Sequence, residues 1–167
     1  MDFEKTLIFL LDHEIDFVVI GGVAMYAQGS AVLTRDLDIC YNRARANVER
    51  MTEVLQTIHP RLRGVPEGLP FRLDAETVLK GLNFTLITDY GNLDLLGEVA
   101  GIGDYQAARA SSDEGELFGR RCLVLSVEAL IRAKRAAGRP RDLAAIPELE
   151  ALQELKRKLK DPGRRET

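Results

Sequence analysis

Three aspartates are the residues whose type and spacing best suit chemistry. Asp36 and Asp38 stand one residue apart in "TRDLDICY", and Asp94 lies between leucines in "NLDLLG". On a strand, residues two apart share a face, which puts the α-carbons of Asp36 and Asp38 about 6.7 Å apart. Carboxylates spaced this way can converge on two divalent ions about 3.5–4 Å apart, the separation used in phosphoryl transfer. Mg²⁺ suits such a place, because it takes a few carboxylates and completes its shell with phosphate oxygens and water. The competing reading is a solvent-facing strand with Leu37 and Ile39 turned to the core. Asp94, between Leu93 and Leu95, would be costly to bury alone, so a cation partner is expected; a salt-bridged structural carboxylate is the alternative.

The elements that position these acids can be read around them. "IDFVVI" (15–20) is continuous and β-branched, as in a strand buried on both faces. Gly21 and Gly22 end it and open the short helix "VAMYAQG", so free N–H groups and the positive end of a helix dipole would face an incoming phosphate. "RDLDICY" (35–41) alternates charged and apolar residues as a second strand beside the first, carrying the aspartates to the glycine turn. "NFTLIT" (83–88) and "NLDLLGEV" (92–99), joined at "DYG", read as an antiparallel hairpin with Asp89 and Glu98 at its ends. "CLVLS" (122–126) is a fifth strand.

Helices are expected at "FEKTLIFLLDHE", "RANVERMTEVLQTIH", "DAETVLKG", "VEALIRAKRAAG" and "DLAAIPELEALQELKRKLK". "PRLRGVPEGLP" (60–70) reads as a loop and "GIGDYQ" as a turn. The pattern is α/β (α+β): a small mixed sheet flanked by helices, with a C-terminal helical portion. Boundaries fall at 1–126 for the core with its N-terminal helix, 127–160 for helices packed on that core, and 161–167 for a flexible tail.

Composition narrows the function classes. The chain has 167 residues, with 23 basic and 26 acidic side chains and a net charge of −3, so it is not basic overall in the manner of many nucleic-acid binders. One local exception is "LIRAKRAAGRPRDL", where Arg132, Lys134, Arg135, Arg139 and Arg141 face only Asp142. This is either a solvated helix face, favourable near a helix C-terminus, or a contact for phosphate or acceptor. Cys40 and Cys122 sit in apolar runs without metal-ligand spacing and read as buried thiols in a reducing, cytoplasmic setting. His13 and His59 lie at helix ends as dipole partners. No run approaches a membrane span, so no membrane partner is expected.

Taken together, Gly21-Gly22, Asp36-Leu37-Asp38-Ile39 and the later Asp94 resemble the signature of the DNA polymerase β-like nucleotidyltransferase superfamily. Over "GSAVLTRDLDICYNR", "LPFRLDAETVLKGLNFTLITDYGNLDLLGEVAGIGDY" and "LIRAKRAAGRPRDLAAIPEL" the likeness is closest to bacterial AbiEii-type toxin nucleotidyltransferases. The resemblance implies that Asp36, Asp38 and Asp94 hold Mg²⁺ or Mn²⁺, and that Asp94 helps deprotonate an acceptor hydroxyl. It further implies that Gly21, Gly22 and Thr34 lie at the phosphates, with Lys134 and Arg139 as phosphate contacts and Asp142 as a cap or their partner. The implied reaction moves a nucleoside monophosphate from a nucleoside triphosphate to a hydroxyl of RNA, protein or a small molecule. A toxin paired with an antitoxin protein is one such member. Val32 stands where similar sequences carry arginine, and the alternation aims Arg35 away from the acids. A nucleotide-binding or partner-binding module without turnover is therefore the alternative, and a protein acting through its late helices a third reading.

Overall fold

The computed structural model describes residues 2–163. Helix α1 (Asp2–Asp12) leads into strand β1 (Phe17–Ile20), helix α2 (Gly21–Gln28), strand β2 (Leu37–Tyr41) and helix α3 (Arg45–Gln56). A two-residue strand β3 (Arg61–Leu62) precedes helix α4 (Ala75–Lys80), then the hairpin of β4 (Asn83–Thr88) and β5 (Gly91–Leu96). A short ribbon of β6 (Glu98–Val99) and β7 (Gly103–Asp104) leads to helix α5 (Tyr105–Ala110) and to a second hairpin, β8 (Ser112–Leu117) and β9 (Arg120–Leu125). Helices α6 (Val127–Ala137) and α7 (Pro140–Lys160) finish the fold.

The mixed sheet is larger than expected, with seven strands in the order β3-β4-β5-β2-β1-β9-β8. β1 runs antiparallel to β2 and parallel to β9, while β2 runs parallel to β5. Every residue of β1 is buried, as its unbroken apolar run requires. The helices cover the sheet with amphipathic stripes: Phe3, Leu7 and Leu10 from α1, and Val48, Met51 and Leu55 from α3. Ala129, Leu130 and Ile131 of α6 and Leu149 of α7 join the same core cluster as the sheet residues. Part of the 161–167 tail, residues 164–167, lies outside the described residues.

Several elements differ from the sequence expectation. Strand β2 begins at Leu37, so Asp36 lies just before it rather than within it. The run 92–99 is split: β5 stops at Leu96, and Glu98 belongs to a separate ribbon. The loop at 60–70 contains β3, which pairs antiparallel with β4. "GIGDYQ" is not only a turn, because Asp104 caps α5 by accepting from the Ala107 N–H at 3.1 Å. His59 pairs with Asp89 at 2.6 Å instead of serving a helix end, whereas His13 Nδ1 lies 2.8 Å from the Phe9 carbonyl of α1.

Candidate active site

Register alone brings two of the acids together. Asp38 pairs with Ile20 across the antiparallel ladder and with Asp94 across the parallel one. Leu37 pairs with Leu93 in the same ladder, so "DLD" and "NLD" run side by side and Asp36 meets Asn92. Asn92 Nδ2 donates to Asp36 Oδ1 at 3.0 Å. Asp38 and Asp94 therefore sit side by side on the middle strands β2 and β5, with Asp36 just before β2, not at a lateral edge.

The glycines are explained by the same geometry. Gly21 directly follows β1 with φ +62, in the left-handed region, and a Cβ there would collide with the Asp38 carboxylate. A Cβ on Gly22 would come within 2.9 Å of Thr34 Cβ and Oγ1. The pair thus lets α2 start against the acid face, with Thr34 donating to the Asp36 carbonyl at 3.3 Å.

A basic group arrives from the C-terminal helices. Ser126 starts α6 by accepting from the Ala129 N–H, and Gly138, with φ 67, ends it, so the chain reverses into α7 with Pro140 in its first turn. That reversal sets Lys134 and Arg139 on either side of Asp142. Lys134 Nζ lies 3.1 Å and Arg139 Nε 2.6 Å from its carboxylate oxygens, and Asp142 is only 1% exposed. Asp142 is their partner, not a cap. Arg141 joins them at the cavity.

Two adjoining cavities result. A polar one of about 450 Å³ is lined by Thr34, Asp36, Asp38, Asp94, Lys134 and Arg139, together with Arg63, Asn92, Arg141 and Asp142. The second, of about 390 Å³, shares Asp38, Asp94 and the basic group but continues along Phe84, Leu96, Val99 and Leu130. Gly21 lines the second cavity, while Gly22 acts one layer behind through Thr34. Val32 is 46% exposed and Arg35 is exposed; neither lines either of these two cavities.

Three site residues were not singled out from sequence: Arg63, Asn92 and Phe84. Asn92 could have been found, because it stands two before Asp94 as Asp36 stands two before Asp38. Arg63 carries no such signal, and it forms an ion pair with Asp94, the arrangement described by the salt-bridged alternative. Its Nη2 donates to Asp94 Oδ1 at 2.7 Å, and its Nη1 lies 3.9 Å from Asp36 Oδ2. Nη1 is buried without a protein acceptor, a condition that costs about 1–3 kcal/mol.

Burial, then the charges of Asp94 and Asp36, push the Asp38 carboxyl up to about 7, with Lys134 acting in the opposite sense. Burial also raises Asp94, against the opposing pull of Arg63. A crowded acid face of this kind is one that a cation would relieve. Among the described residues, no three acid, His or Cys side chains already close on one point as a metal cage. The donor set fits an ion such as Mg²⁺ or Mn²⁺ that takes part of its shell from phosphate and water.

Comparison with solved structures places this architecture. The chain superposes on a proposed nucleotidyltransferase from Thermotoga maritima with TM-score 0.54 and 16% identity, over 94% of both chains. It superposes on ANT(2″)-Ia in complex with adenylyl-2″-tobramycin with TM-score 0.53 and 17% identity, over 95% of this chain and 96% of that one. A solution structure of the same antibiotic-resistance factor gives TM-score 0.52 and 17% identity, over 96% and 92%. The fold is a nucleotidyltransferase fold. No protein-family model and no curated protein matches the chain.

Proposed function

We propose that this nucleotidyltransferase-fold chain is a metal-dependent enzyme that transfers a nucleoside monophosphate from a nucleoside triphosphate to an acceptor hydroxyl, releasing pyrophosphate. The observation that carries this reading is a single polar cavity lined by Asp36, Asp38 and Asp94 and by Lys134, Arg139 and Arg141, with Gly21 packed against Asp38. Acids alone would repel a triphosphate, and cations alone would bind it without poising it for reaction.

Asp36, Asp38 and Asp94 would hold Mg²⁺ or Mn²⁺, which when bound neutralises charge on the triphosphate as the bond to pyrophosphate breaks. Lys134 and Arg139, fixed by Asp142, would meet phosphate oxygens, and Arg141 adds a cation at the mouth. Gly21 and Gly22 leave room at the start of α2, where free N–H groups favour phosphate. Asp94 would accept the proton of the attacking hydroxyl. The cavity along Phe84 and Leu130 has the size of a small-molecule site. No covalent enzyme intermediate is needed.

ANT(2″)-Ia was solved with an adenylylated tobramycin, so a small-molecule hydroxyl is one acceptor class to test here. The narrower reading, a toxin held by an antitoxin protein, rests on the sequence resemblance alone. A binding module without turnover is the second reading, resting on Val32 standing where similar sequences carry arginine.

Calorimetry with ATP, GTP, CTP and UTP should show binding that requires Mg²⁺. Incubation with each labelled triphosphate and a cell extract should then move label onto RNA, protein or a small metabolite. Binding that ignores Mg²⁺ would end the metal-bridged reading; Mg²⁺-dependent binding without label transfer would favour the module.

A further inference from the structure

Arg63, the residue after β3, reaches the acid face from the far side of β5 from Asp38. Its backbone N–H donates to the Thr85 carbonyl, and the exposed stretch 64–70 follows it. Its guanidinium is held at one end only. Nη2 is bonded to Asp94 Oδ1, while Nη1 points toward Asp36 without an acceptor in hydrogen-bond range. Any divalent ion bound by Asp94 and Asp36 would need oxygens that this guanidinium faces, and two cations in that space repel.

We propose, resting on the nucleotidyl-transfer reading, that Arg63 is a built-in counter-cation of the acid face. It neutralises Asp94 and Asp36 in the ion-free protein and competes with the divalent ion for them. Ion binding is then weak alone and strengthened by the triphosphate. The triphosphate supplies replacement ligands to the ion and offers Nη1 an acceptor. By linkage, the ion strengthens triphosphate binding by the same factor.

Mn²⁺ titration of the full chain without nucleotide, followed by electron paramagnetic resonance, tests this directly. Arg63→Gln should bind Mn²⁺ on the order of tenfold more tightly than wild type, a difference of about 1.4 kcal/mol. Arg63→Lys, which keeps the charge but loses the fork, should fall between them. The gain in Mn²⁺ affinity on adding ATP should shrink in Arg63→Gln. Circular dichroism identifies folded protein, and Arg63→Lys carries the test if Arg63→Gln does not fold.

Unchanged or weaker Mn²⁺ binding in the folded variants overturns the proposal. So does a loss of ATP affinity without a gain for Mn²⁺, which would make Arg63 a phosphate ligand only. If wild type binds no Mn²⁺ even with ATP, the nucleotidyl-transfer reading itself fails. If it binds Mn²⁺ with ATP and the variants show no gain, only the role of Arg63 fails.

Discussion

Asp38 and Asp142 line the same polar cavity, and their surroundings are opposite. Asp142 has the less exposed side chain, at 1%, and burial alone would raise its pKa; hydrogen bonds and charge from Arg139 and Lys134 outweigh this and lower it. Asp38 is raised to about 7, first by burial and then by the charges of Asp94 and Asp36, with no comparable set of cations to outweigh them. A buried carboxylate that already has its cations is a structural part, holding Lys134 and Arg139 in place. One beside other carboxylates keeps repulsion that Arg63 relieves only in part and an added cation relieves further. Burial by itself therefore does not mark the candidate catalytic residue; unmet charge does.

The largest effect that would break this comparison concerns transfer. Asp38→Ala should lower nucleotidyl transfer at least 10³-fold, about 4 kcal/mol of barrier, because it removes an ion ligand beside the reacting phosphate. The same variant in chelator should melt at or above the wild-type temperature, since one of three repelling carboxylates is gone. A lowered melting temperature with retained transfer would make Asp38 structural.

Asp142→Ala should do the reverse. It strands Lys134 in a half-buried position without its carboxylate, at a cost of roughly 3 kcal/mol, toward the low end for a buried pair because Arg139 is half in solvent. For a chain of this size that lowers the melting temperature on the order of 10 °C. A thermal melt in chelator checks it, and a shift under 2 °C would remove the contrast with Asp38.

Gly21→Ala presses on one side only. Its left-handed backbone and the overlap of a new Cβ with the Asp38 carboxylate should cost about 1–2 kcal/mol of stability. It should also weaken Mg²⁺-dependent nucleotide binding, measured by calorimetry. Unchanged binding would mean that Asp38 need not sit against α2.

Part of this arrangement was legible in the sequence. The strand character of 15–20 and the "DLD" alternation follow from local pattern, and the glycine pair marks where β1 must stop short of Asp38. The second hairpin was not legible, because β8 is the charged run "SDEGEL" with only Leu117 buried, as suits an edge strand, and it carries no apolar alternation. Arg63 was hidden for a different reason. Its place depends on β3 pairing with β4 across a loop rich in proline and glycine, a non-local contact that spacing cannot reveal. Lys134 and Arg139 were visible as charges, but whether they faced solvent or the acids depended on the α6–α7 reversal.

The smallest expected effect is in the pH dependence of stability, and it separates the two aspartates by sign. Asp38 has a folded pKa of about 7 against an ordinary 3.8. Between those values the folded protein keeps a proton that the unfolded chain has shed, so stability falls as pH rises through this window and levels off above about 7. Asp142 is lowered below 3.8, so its contribution is present above that value and is lost as pH falls through the folded pKa. One proton sets a limit of about 1.4 kcal/mol per pH unit, and solvent access to the acid face keeps the slope below it. In chelator, urea melts between pH 2 and 8 should show this neutral-side decline in wild type, and Asp38→Asn should flatten it, since the variant also relieves Asp94. Asp142→Asn should leave that decline in place and remove only the acid-side loss. Saturating Mg²⁺ should flatten the neutral side in wild type, because the ion favours the ionised carboxylates. A wild-type profile that is level from pH 4 to 8 without metal would show that Asp38 is not crowded, and its contrast with Asp142 would be gone.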